Sequence, residues 1–277
     1  MSARHIAVYV AVVGVLASVA GAGIVSVTVT GGDNPANNYQ AIIEPESDGV
    51  GAEGTFFQED AWMFINRTHE YNGPRFDANG LLKFGTSYAP DDIVVGLPSY
   101  LIGQPYVSQY MENRDNASLQ LDMVLDNEYP EYEIYLLIDN RVGDDINTDP
   151  PTLGQGTAPK MQWVLDQGYV QVNTGISPNG QPDFVGADEG ASVSGDWRHN
   201  NRTHGTANLD TGPGMHLQQA STVYTRVVDG DQTISFFEQN HGGKNNYGIV
   251  VHGIPEPTTL GLLALGGLAG LARRKRR

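Results

Sequence analysis

The sequence predicts an all-β fold, an antiparallel β-sandwich of jelly-roll-like form, flanked by an N-terminal signal-peptide helix and a C-terminal hydrophobic helix. Apolar residues alternate with period two in several stretches, and no stretch of ten or more residues between the two ends keeps a 3.6-residue apolar period. Clusters of Gly, Pro, Asn and Asp separate the alternating stretches: Gly73-Pro74, Pro150-Pro151, Pro178-Asn179-Gly180, Asp229-Gly230 and Gly242-Gly243. Eight or more short strands punctuated in this way bury their apolar faces by packing sheet on sheet.

Residues 1–22 read as a signal peptide. Arg4 and His5 precede an apolar run from residue 6 to 19, and the small side chains of Ala20-Gly21-Ala22 follow, so cleavage is expected near Ala20 or Ala22. The run is short for the alternative, a retained membrane anchor. Residues 23–54 hold a strand at 24–30 and then a linker containing Asp33-Asn34-Pro35 and Glu44-Pro45-Glu46. The sandwich domain is expected over 55–254.

Its clearest strand is 118–125, where Leu119, Leu121, Met123 and Leu125 alternate with Ser118, Gln120 and Asp122. A second runs over 132–138, with Tyr132, Ile134, Leu136 and Ile138 on one face and the ambiguous Tyr135 and Leu137 on the other. The turn-rich link Asp126-Asn127-Glu128-Tyr129-Pro130 predicts that these two form an antiparallel pair. Further strands are expected at 61–66, 91–97, 161–165, 169–173, 222–228, 233–237 and 246–252, which places Trp62 and Trp163 in strands, as core residues.

The formal charge is −16. Six of the 16 basic residues, Arg4 and the five at the C-terminus, lie in the terminal segments together with Glu256, one of the 32 acidic residues; the body keeps 10 basic and 31 acidic residues. Such a surface repels phosphates and argues against a nucleic acid partner. There is no cysteine, which excludes disulfides, thiolate metal sites and cysteine nucleophiles.

The C-terminus places Pro255, Glu256 and Pro257 before an apolar run at 260–272 and the basic tail Arg273, Arg274, Lys275, Arg276 and Arg277. Thirteen residues make a helix of about 20 Å against about 30 Å of hydrocarbon, and four glycines weaken it further. An ordinary permanent anchor is therefore a poor fit, whereas a temporary stop with cations held inside suits these properties. Residues 255–277 resemble the PEP-CTERM sorting signal, with Pro255, Glu256 and Pro257 as its motif. The resemblance implies an exosortase as partner, transient inner-membrane association, and a final place at the cell surface, outer envelope or extracellular matrix, often beside exopolysaccharide. Within the body, 135–141 and 243–248 are similar to stretches of other exported PEP-CTERM proteins, a likeness that implies no activity.

Two clusters are candidate sites. Asp139, Asp144, Asp145, Asn147 and Asp149 offer closely spaced oxygens on a Gly-containing loop, which suits a structural calcium ion; the bland reading is a solvated acidic turn. Arg141 stands in a ligand slot and no Glu closes the loop as in an EF-hand. Asp196, Trp197, Arg198 and His199 combine an aromatic ring with polar groups able to hold sugar hydroxyls; the bland reading is a packed or partly exposed loop. Tyr100, Tyr106 and Tyr110 beside Gln104 and Gln109 offer a similar pattern. The spacing of His199 and His204 fits no zinc motif, and Ser99, Ser108, Ser177 and Ser194 lack a Gly-x-Ser-x-Gly setting. The sequence thus predicts a non-enzymatic exported surface or matrix protein, structural or glycan-binding. A secreted hydrolase acting on polysaccharide or peptide is the competing reading.

Overall fold

The computed structural model describes residues 23–30, 41–44, 56–59, 61, 63–64, 69–85, 88–109, 113–114, 118–155, 159–189, 217–242 and 244–256. Both terminal apolar segments, Trp62, and residues 190–216 with Asp196, Trp197, Arg198 and His199 lie outside them. The described chain forms the all-β sandwich expected from the sequence, with two unequal sheets.

The smaller sheet has three antiparallel strands in the order β1 (Ile24–Thr30), β7 (Gln120–Leu125) and β12 (Thr233–Phe237). The larger follows the order β2 (Ala41–Glu44), β6 (Tyr106–Gln109), β13 (Gly248–Ile254), β8 (Glu131–Asp139), β11 (Leu217–Asp229), β10 (Phe184–Glu189) and β3 (His69–Asn72), and β9 (Val170–Gln171) adds to β11. A separate ribbon pairs β4 (Arg75–Phe76) with β5 (Ile93–Val94). Arg75 is fully buried beside it, donating to the Gly85 carbonyl at 2.9 Å and lying over the Tyr88 ring. The one described α-helix, α1 (Gln162–Asp166), sits between β8 and β9.

The first core lies between the two sheets. Leu121, Met123, Leu125, Ile234 and Phe236 of the small sheet meet Ile134, Leu136, Ile138, Ile249 and Val251 of the large one. The opposite face of the large sheet is also buried: Tyr135, Leu137, Val185, Val223 and Val250 lie under Phe57, Met63, Phe64, Leu97 and Leu101 from irregular chain. Tyr135 and Leu137, the ambiguous positions of the sequence pattern, belong to this second core. A strand covered on both faces has no reason to alternate.

Three expectations need correcting. β7 and β8 are not an antiparallel pair; the chain crosses between sheets at Asp126-Asn127-Glu128-Tyr129-Pro130, and the apolar faces of the two strands meet across the first core. A second crossing, from β11 to β12, stacks on the first: the Gly230 N–H donates to the Pro130 carbonyl at 2.8 Å and the Asp231 N–H to that of Asp126 at 2.7 Å. Residues 161–165, expected as a strand, instead enter α1 through Met161 at φ 47°. Trp163 nonetheless packs as a core-facing residue, edge-on to Tyr169, Phe236 and Tyr247. The segment read as a linker contributes β2, an edge strand whose Glu44 is fully buried.

Candidate functional site

The acidic loop follows directly on β8. Asp139 is fully buried and already saturated: Oδ1 accepts the Arg141 N–H at 3.0 Å and its Nε at 2.9 Å, while Oδ2 accepts from the Arg141 guanidinium and from the Asn245 N–H at 2.8 Å. Asp144 accepts the Ile146 N–H at 3.0 Å and the Thr152 hydroxyl. Asp145, at φ 68°, is ion-paired with Lys244, with His241 Nε2 at 3.8 Å. The Lys244 hydrogen bond holds the Asp145 carboxyl below the usual carboxylate range, and burial lowers the His241 imidazole. Asn147 joins the loop to β11, accepting the Ala220 N–H at 3.2 Å and donating to the Gln218 carbonyl at 2.9 Å; Asp149 is exposed. Asp139, Asp144, Asp145 and Asn147 are thus each engaged by separate protein partners. Among the described residues no group of three or more His, Asp and Glu could hold a metal ion, and a calcium ion at this loop would have to displace these donors.

Two hollows flank α1. One, of about 230 Å³, is lined by Pro159, Met161, Gln162, Trp163, Phe237, Glu238 and Asn240, with the Trp163 indole N–H donating to the Glu238 carbonyl at 3.1 Å. The other, wider at about 540 Å³, runs along Pro150, Pro151, Leu153, Leu165, Tyr169, Val170 and Tyr224. Together they expose one carboxylate, Glu238. The tyrosine and glutamine group is not a surface platform. Tyr106 and Gln109 are buried, with Gln109 donating to the Tyr247 carbonyl at 3.0 Å, and Tyr100 packs against Tyr135 and donates its hydroxyl to Asp183 at 2.9 Å. Tyr110 lies outside the described residues.

At the other end of the sheet the first and last described residues converge on the crossing at 126–130. Gly23, just before β1, donates its N–H to Asp126 Oδ2 at 3.2 Å and accepts the Asp126 N–H at 2.9 Å. Asp126 Oδ1 accepts the Glu128 N–H at 2.9 Å and the Tyr132 hydroxyl, and burial together with that hydrogen bond pushes the hydroxyl's pKa up. Gly23 has φ 90°, and a Cβ there would meet the Tyr132 ring at 2.4 Å, so glycine is required. From the C-terminal side, Ile254 pairs with Glu131 and Gly253 lies against the Tyr129 ring; Pro255 and Glu256 are exposed immediately beyond. Residues 253–277 match the PEP-CTERM protein-sorting motif. The PEP-CTERM segment marks an exported protein, anchored transiently in the membrane and processed by an exosortase during export. No curated protein and no solved structure matches the chain.

The PEP-CTERM segment therefore begins inside the folded sheet, since Gly253 and Ile254 belong to β13. Pro255 and Glu256 of the sorting motif follow without a spacer, and Pro257 lies outside the described residues. The large sheet extends away from this point. β11 is 13 residues long, which at about 3.3 Å per residue separates its ends by roughly 40 Å. Asp229 lies opposite Glu131 at the PEP-CTERM pole, and Leu217 opposite Asp188 at the distal one. Residues 190–216 join Glu189 to Leu217, so both attachment points of the segment carrying Trp197 are distal. Sequence reasoning had no signal for this polarity, because it depends on strand order.

Proposed function

We propose that this exported protein is a non-enzymatic component of the cell surface or extracellular matrix that presents residues 190–216, with Asp196, Trp197, Arg198 and His199, to exopolysaccharide. The observation that carries the reading is the polarity of the large sheet: the sorting motif leaves from one end and the 190–216 segment is attached at the other. A segment whose two attachment points lie opposite the sorting motif is reachable by a matrix polymer. An indole offers the apolar face of a sugar a stacking surface, while amide, carboxylate and guanidinium groups hold its hydroxyls. The hollows beside α1 expose one carboxylate, Glu238, whereas glycoside cleavage uses a pair. The carboxyls held low, Asp77, Asp92 and Asp145, are kept ionised by donors, which suits structural pairing rather than proton transfer.

The test is retention of the purified protein on an array of bacterial exopolysaccharide fragments, with Trp197→Ala alongside. The expected result is binding by the wild type and at least a tenfold loss in the variant at an unchanged melting temperature. Equal retention of the two proteins, or none by the wild type, would remove the glycan reading and leave a structural surface role.

A further inference from the structure

We infer that signal peptidase cuts between Ala22 and Gly23 and that the α-ammonium group so created is received by the Asp126 carboxylate, making Asp126 a built-in socket for the new N-terminus. Two independent observations meet here. The sequence Ala20-Gly21-Ala22 is an A-x-A pattern whose cut would fall before Gly23. In the fold, the Gly23 nitrogen lies 3.2 Å from Asp126 Oδ2, and the Gly23 carbonyl is held by the N–H of the same residue. Nothing about the peptidase requires its product to begin at a carboxylate.

The chemistry is a hydrolysis. Water adds across the Ala22–Gly23 amide, Ala22 leaves with the leader as a carboxylate, and the Gly23 nitrogen takes a proton to become an ammonium ion. A single N–H donor to Asp126 is thereby replaced by a cation with three donors, and charge-assisted hydrogen bonds are roughly twice as strong as neutral ones. The socket is shaped for this group. Gly23 fits only without a side chain beneath the Tyr132 ring, and the Glu128 N–H and Tyr132 hydroxyl fix the carboxylate from its other oxygen. The other ionisable groups of the two crossings are Glu128, Tyr129 and Glu131 on one and Asp229 and Asp231 on the other, so the local field favours a cation. A cut after Ala20 would leave Gly21 and Ala22 ahead of Gly23 and place no charge at this position.

The inference rests on the export reading, and its test separates the two. The full chain, with its leader, is expressed in an exporting bacterium, and the mature protein is recovered for N-terminal sequencing and for titration of ¹⁵N-labelled glycine amines by NMR. The expected sequence begins Gly23-Ile24-Val25. Its α-amine is expected to titrate roughly one unit above the ordinary value of about 7.7–8.0, with the shift lost in Asp126→Asn. Exported protein that begins elsewhere, or a Gly23 amine that titrates at the ordinary value in the wild type, overturns this inference alone. A chain retained inside the cell with its leader attached overturns the export reading with it. Sequencing and the wild-type titration decide the matter even if Asp126→Asn does not fold.

Discussion

β7 and β8 are neighbours in sequence and look alike there, yet they live in different environments. β7 alternates buried and partly exposed residues along its whole length, with Leu121, Met123 and Leu125 inward and Gln120, Asp122 and Val124 outward. β8 is buried at every position from Ile134 to Asp139. The small sheet has one covered face, while the large sheet is clad on its second face by chain that forms no sheet of its own, from Phe57 to Phe64 and from Leu97 to Leu101. Stability in this sandwich is therefore expected to depend as much on irregular segments as on strand pairing.

The largest effect is expected where that irregular layer is cut. Phe57 is fully buried, 4.6 Å from the Tyr71 ring and 5.8 Å from that of Tyr106, and Phe57→Ala should cost about 3–5 kcal/mol in urea denaturation. A loss under about 1 kcal/mol would show that the layer is a loose cover and would break the comparison. Next come successive positions on each strand. Leu136→Ala and Leu137→Ala face opposite cores, and each should cost about 2–5 kcal/mol. On β7, Leu121→Ala should cost as much, but its neighbour Gln120→Ala should stay under about 1 kcal/mol. Similar losses for Leu137→Ala and Gln120→Ala would erase the distinction between one-faced and two-faced burial.

The smallest effect is expected in the acidic loop, where Asp139, Asp144 and Asp145 already have protein donors. EDTA should leave the melting temperature unchanged, and a clear fall would make calcium the tie that Arg141 and Lys244 otherwise provide. The pair of exposed Asp145 with half-buried Lys244 should contribute little. Because Asp145 is held below its unfolded value, that contribution is present above the unfolded pKa and disappears as pH falls through the folded one. Melting curves of Lys244→Met between pH 7 and pH 3 check both the sign and the size.

Alternation found the strands of the small sheet, which have one partly exposed face, and also β8, although both its faces are covered. β1 and β12 match the expected bounds, and β7 and β8 differ from them by no more than two residues. It missed β3 and β6, where His69, Glu70, Asn72, Ser108 and Gln109 are buried polar residues that a hydrophobic period does not register. It also took α1 for a strand, because one turn of helix is too short to show a 3.6-residue repeat. The crossing between β7 and β8 was invisible for another reason: a turn-rich link serves a hairpin or a change of sheet equally well, and the choice is made by which faces meet. Of the candidate sites, the chemistry of the sorting motif was legible residue by residue, but the distal placement of the ends of 190–216 required strand order. The aromatic and amide cluster at Tyr106 and Gln109 was misjudged since its exposure was assumed.

β13 stands between β6 and β8 and carries the strand ladder that joins β2 and β6 to the rest of the large sheet. It is also the last described strand, immediately ahead of Pro255 and Glu256. In a chain exported from N-terminus to C-terminus, the ladder between β6 and β8 would be completed by residues 248–254, the last described part of the sheet before the sorting signal.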